Sequence, residues 1–166
     1  MRLHGLACTI ALTVLAWPSA GLAQSGTYYV VGLSDQAAWL ADRDSIRWSG
    51  GNPIVTLHQI YRTPSPVRRE YGPGYDLYQR AEYRIEIDCS GHRTRDVGFT
   101  MIGFAASARP IRLTDQEAWE PIGDSPMFTD LHALACSNQV PAGTTPANDL
   151  QIAIVAYYQV VSDEEE

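Results

Sequence analysis

The chain has 166 residues, 45% of them hydrophobic, and a formal net charge of −7. That length suits one domain with a core of its own, and the acidity excludes a general attraction to nucleic acid or anionic lipid. Every basic residue is Arg.

Residues 1–23 read as a secretory signal peptide. Arg2 supplies the positive start, Leu6 to Trp17 is an uncharged apolar run, Pro18 and Ser19 break it, and Gly21-Leu22-Ala23 offers small residues for cleavage before Gln24. The apolar run is shorter than the roughly 20 residues a membrane-spanning helix needs, and no later stretch qualifies, so no transmembrane segment is expected in the mature chain. Cys8 lies at the start of the run, too early for a lipid-attachment site. The expected address is outside the inner membrane, either in the periplasm or at the cell surface.

The mature chain opens with Thr27 to Gly32, rich in aromatic and β-branched residues and hence a strand. Ala37 to Ala41 is a second short strand, Asp42-Arg43-Asp44 a polar turn, and Ser45 to Trp48 a short extended piece ended by Ser49-Gly50-Gly51-Asn52. Ile54 to Tyr61 is a strand by its β-branched content. Three prolines and two glycines between Thr63 and Gly74 then predict an exposed loop without regular structure.

Ala81 to Cys89 alternates strictly, with Tyr83, Ile85, Ile87 and Cys89 on one face and Glu82, Arg84, Glu86 and Asp88 on the other. That pattern predicts a strand with one buried and one wet face. Ser90-Gly91 turns the chain into a hairpin partner running from Arg93 to Phe104. Ala105 to Pro110 reads as a turn and Ile111 to Leu113 as a short strand. Ser125 as N-cap and Pro126 at the first helical position start a helix that Met127, Leu131 and Leu134 continue at helical spacing as far as Cys136. Asn138 to Pro146 is a linker. Asn148 or Asp149 can cap a last segment, Leu150 to Val161, whose stripe of Leu150, Ile154, Tyr157 and Val161 favours an amphipathic helix although its Ile and Val content also suits a strand. Asp163 to Glu166 is an acidic tail.

Once Cys8 leaves with the signal peptide, Cys89 and Cys136 remain, and two cysteines in an exported chain pair. Closing that loop stabilises the fold by about 4 kcal/mol on the chain-entropy model. No reactive C-x-x-C spacing is present.

No catalytic constellation, metal-ligand spacing or cofactor motif stands out. His58, His92 and His132 fall on a strand, a turn and a helix without close pairing. Glu82, Glu86 and Asp88 share a strand face, but Arg84 sits among them, and a cross-strand charge ladder with Arg93 and Arg95 accounts for them without acid–base catalysis. The best binding candidate is the Pro64–Tyr75 loop, with Arg68, Arg69, Tyr71 and Tyr75, because Tyr and Arg are enriched where partners bind and loops carry such residues.

Taken together, the segments resemble the surface-adhesin protein E-like family of exported bacterial envelope proteins. The resemblance runs over about residues 27–137. It rests on Asp44 to Arg47 after an opening strand, a strand ending in Tyr61, a long strand closing on Asp88-Cys89 with Arg93 and Arg95 beyond, Trp119 to Ile122, Ser125, and Leu131 through Cys136. It implies an antiparallel sheet with a helix tied to it by a Cys89–Cys136 bond, in a non-enzymatic protein that binds other proteins and can dimerise. No ligand contacts carry over residue by residue.

The expectation is therefore an α+β domain: an antiparallel meander of five to six strands, with one or two late helices packed on one face. Residues 24–137 form the domain, 138–162 a linker and C-terminal helix packed on it, and 163–166 the tail. The expected function is a non-catalytic protein-binding module without cofactor or nucleic acid. The alternative is an envelope assembly factor acting by self-association, with an enzyme of unrecognised type as a remote third.

Overall fold

The structure, a computed structural model, describes residues 25–68, 75–103, 108–111 and 118–163. The signal segment and the 69–74 tip of the binding candidate, with Arg69 and Tyr71, lie outside the described residues. The strands are β1 (Ser25–Leu33), β2 (Ala37–Ser49), β3 (Asn52–Arg68), β4 (Tyr75–Asp88), β5 (Arg93–Gly103), β6 (Ala108–Ile111), β7 (Glu120–Pro121) and β8 (Ala147–Asp149). The helices are α1 (Pro126–Ser137) and α2 (Leu150–Asp163).

All pairings are antiparallel, in the order β6-β5-β4-β3-β2-β1-β8, with β7 also on β5. The expected α+β meander is present, with more strands than the five to six expected. The extra ones are short: β7 pairs with Arg93 and Thr94, and β8, just after the expected linker, pairs with β1.

Two expected turns are parts of strands, and the turn expected at Ala105 to Pro110 gives way to β6 from Ala108 on. Asp42-Arg43-Asp44 sits inside β2, where the register against β3 shifts between Asp42 and Arg47. The Asp42 carboxylate accepts the backbone N–H groups of Asp44 (3.0 Å) and Ser45 (3.1 Å), so the turn chemistry is real but makes a bulge rather than an end. Likewise β3 continues through Pro64 and Pro66 to Arg68, against Tyr78 to Tyr75 of β4. β2 stops opposite Tyr61, so this arm has β4 on one side and no β2 on the other, and an edge tolerates proline.

The two helices do not share a face. On β1 to β3, Tyr29, Val31, Ala41, Val55 and Leu57 pack with Leu131, Leu134 and Ala135 of α1. Residues of opposite parity, Tyr28, Ala38, Leu40 and Ile60, pack with Leu150, Ala153, Ile154 and Tyr157 of α2. The reason lies in the strands: β1 and β2 carry continuous apolar runs, so both their faces require cover. Here the α1 side is called face A and the α2 side face B.

Ser125 caps α1 with Pro126 in its first turn, and Asn138 ends it in the left-handed conformation (φ 54°). Cys136, in its last turn, bonds Cys89 after β4 with Cα atoms 5.8 Å apart, so the expected disulfide ties helix to sheet. Residues 150–163 form a helix, with Asp149 Oδ1 accepting the N–H groups of Gln151 (2.7 Å) and Ile152 (3.3 Å). No helix among the described residues is long and apolar enough to cross a membrane.

Candidate functional site

The polar residues converge on face B, in two zones. Under α2, His58 lies on β3 directly opposite Glu82 of β4, and only 3% of it is exposed. Its Nδ1 is 3.5 Å from Glu82 Oε1, which also lies 3.4 Å from Arg80 Nη2. Tyr28 of β1 meets the imidazole edge to face at 5.6 Å. Contact with His58, and beyond it the charge of Arg80, holds the Glu82 carboxyl below its ordinary range against the opposing effect of burial. Burial raises Asp42, pushes Tyr28 up to about 12, and lowers Arg80. This zone is a closed ionic cluster, and its charges face each other.

The second zone is the part of face B on β4 and β5. The helix α2 packs against β1, β3 and β8, so it does not cover this zone. The expected charge ladder is here. Arg95 binds Glu86 through Nε (2.8 Å) and Nη2 (2.6 Å), and Asn52 Nδ2 reaches the other Glu86 oxygen at 3.1 Å. Arg93 binds Asp88 through Nε (3.1 Å) and Nη2 (2.5 Å). The Arg93 guanidinium, then the Gly91 N–H and the Ser90 hydroxyl, hold the Asp88 carboxyl well below the carboxylate range. The ring of Trp119 lies 4.5 Å from the Arg95 guanidinium and 5.5 Å from that of Arg93.

Two more arginines complete this surface. Arg84 is exposed and opposite Gly98, where a Cβ would sit 3.3 Å from the Arg84 Cδ and Nε. The missing side chain at Gly98 is therefore the slot in which the Arg84 stem lies. Arg47 is in register with Ile54, which pairs with Glu86, which pairs with Arg95, so these four share face B across β2 to β5. Trp48, 61% exposed, stands at the adjacent hairpin tip, where Gly50 and Gly51 adopt positive φ (61° and 92°).

Comparison with protein-family models, with curated proteins and with solved structures found no match.

Of the sequence candidates, Arg68 and Tyr75 are opposite each other at the end of the β3–β4 arm. Cys89 and Cys136 are bonded. The histidines are less scattered than their spacing implies: His92 and His132 stack at 4.6 Å beside the disulfide, with His132 Nε2 3.3 Å from the Cys89 carbonyl oxygen. Stacked rings do not converge their nitrogens, and no group of three or more His, Cys, Asp or Glu among the described residues could hold a metal. Sequence reasoning missed Trp119 as the platform for Arg93 and Arg95, since nothing in the spacing links residue 119 to β5.

Proposed function

We propose that this chain is an exported bacterial envelope protein, located in the periplasm or at the cell surface, that works as a non-catalytic protein-binding module of the adhesin E-like kind. The observation that carries the reading is the surface of face B over β4 and β5: exposed arginines and a half-buried Trp on a rigid sheet, beside a disulfide suited to an oxidising compartment. The carboxylates that could have served in acid–base work are instead engaged by neighbouring side chains: Glu82 lies against His58 and Arg80, and Glu86 and Asp88 form ion pairs with Arg95 and Arg93. The signal segment and the family resemblance point the same way.

The test is export followed by capture. Intact mass of the envelope fraction should begin at Gln24 with both cysteines protected from alkylation until reduced. A photo-crosslinking amino acid at the exposed positions Trp48 and Leu33, at opposite ends of the sheet, should yield a defined protein adduct in the envelope. A precursor-length protein retained in the cytosol, or no adduct from either position, would refute the reading.

One observation favours self-association as a second reading. Ile152 and Val155 point outward from α2, 63% and 54% exposed, so this helix is apolar on both sides. Concentration-dependent dimerisation abolished by the double substitution Ile152→Glu and Val155→Glu would select it.

A further inference from the structure

Face B at the β4–β5 end is a basic surface on an acidic protein. Arg47, Arg84, Arg93 and Arg95 stand there against Glu86 and Asp88, while the whole chain carries −7. Two of the guanidiniums are satisfied by those carboxylates and lie against the Trp119 ring. Among the described residues, Arg47 donates to backbone carbonyls of its own strand, those of Asp44 (2.7 Å) and Ile46 (2.8 Å). Arg84, its stem beside Gly98, has no carboxylate partner among the described residues.

We propose that this surface, deepening the protein-binding reading on which it rests, docks an extended acidic polypeptide segment of a partner protein. Three features select that occupant. The first is charge: a few carboxylates respond to the local arginines, whereas a long polyanion or an anionic bilayer meets the negative field of the whole molecule. The second is shape. Arg84, its stem lying in the slot at Gly98, keeps its guanidinium fork for a carboxylate, to which it can donate two bonds at a time. The third is spacing. Arg84 lies one two-residue step, about 7 Å, from Glu86 along β4, and Arg47 lies in register with Glu86 two strands across, roughly 10 Å away, so these two arginines stand about 12 Å apart, within the span of four residues of an extended chain. The Arg84 and Arg47 guanidiniums bind the carboxylates and Trp119 supplies the apolar contact.

The chain's own C-terminal helix leads away from this surface. The helix α2 starts beside Ser25 and runs toward Tyr157, whose hydroxyl feels the charge of Arg62, so its C-terminus leads to the other end of the sheet.

The test uses the full mature protein and fluorescence anisotropy of a labelled peptide of alternating Glu and Thr. Its Gln–Thr counterpart, heparin and phosphatidylglycerol vesicles serve as comparison probes. The Glu–Thr peptide should bind, bind more weakly as salt rises, and lose about tenfold in affinity with Arg84→Glu. Gly98→Val, which displaces Arg84 without changing any charge, should weaken binding in the same direction, and Gln151→Ala on α2 should leave it unchanged. Equal binding of the two peptides, indifference to both Arg84→Glu and Gly98→Val, or tighter binding of heparin or vesicles would overturn the proposal. A photo-crosslinked partner that is captured equally by the wild type and by Arg84→Glu would leave the protein-binding reading standing while this surface assignment falls.

Discussion

Removing the Cys89–Cys136 bond is the perturbation whose size the structure states most directly. The two cysteines are 47 positions apart in sequence, and Leu131 and Leu134 still bury α1 against face A when both are replaced by alanine. The folded state should therefore survive, and the main effect should fall on the unfolded chain. For a loop of this size the chain-entropy relation gives about 4 kcal/mol at 25 °C. That is a large share of the 5–15 kcal/mol that ordinary domains possess, and it corresponds to a fall in melting temperature on the order of 10–15 °C. Urea unfolding followed by tryptophan fluorescence, on the oxidised protein and on the Cys89→Ala, Cys136→Ala double variant, measures it. The midpoint should fall and the slope should rise, because the unlinked chain exposes more surface when it unfolds. A loss below about 1 kcal/mol with an unchanged slope would refute the argument and show that the bond fastens two parts already held elsewhere.

Other outcomes follow from the same contacts. Leu131→Ala, at a fully buried position of α1, should cost about 3 kcal/mol in the same urea assay. Asp42→Asn should raise the melting temperature at pH 7, since burial raises the folded-state pKa and so makes the charged form a native-state cost above the unfolded value near 3.9. That gain should vanish as the pH falls toward 3. Glu82 and Asp88 act with the opposite sign: both are lowered in the folded state, so their contribution is complete above the ordinary carboxylate range and is lost as pH falls through the folded values. Asp88→Asn should accordingly flatten the acid limb of a melting-temperature profile. The double substitution Ile152→Glu, Val155→Glu should leave the melting temperature nearly unchanged, because both side chains are already in solvent, and light scattering would report any dimer it dissolves.

Much of the architecture could be read from local patterns. The Tyr83–Ile85–Ile87–Cys89 alternation predicted a buried face and a charged one with a ladder to Arg93 and Arg95, and the structure supplies its rungs, Glu86 with Arg95 and Asp88 with Arg93. Ser125 and Pro126 correctly marked the start of α1. The error about the helices came from a signal that was present. Tyr28 to Val31 and Ala37 to Ala41 do not alternate, and strands that are apolar on both sides need a helix on each. The turn readings at Asp42 to Asp44 and at Pro64 to Pro66 failed for another reason. Asp and Pro report a local backbone preference, and whether that ends a strand or only bends it depends on which neighbour lies beside it. The arginine surface was half visible. Its ladder follows from strand register, whereas Trp119 reaches it from beyond β6 and Gly98 matters only through the residue opposite.

The sheet order has a consequence for how the chain folds as it is made. Strands β1 to β6 are joined to their neighbours by consecutive hairpins, so each can pair as soon as it follows the last. The outer edge of β1 is different, because it waits for β8, which arrives near the end of the chain just ahead of the α2 helix. Until then the first strand made presents a row of unsatisfied amides and carbonyls, together with the apolar side chains of Tyr28, Ala38, Leu40 and Ile60 that α2 will cover. A nascent or truncated chain lacking its last two dozen or so residues is thus complete in most of its hairpins and sticky along one border. The C-terminal segment acts as the closing seam that turns an aggregation-prone intermediate into a finished protein.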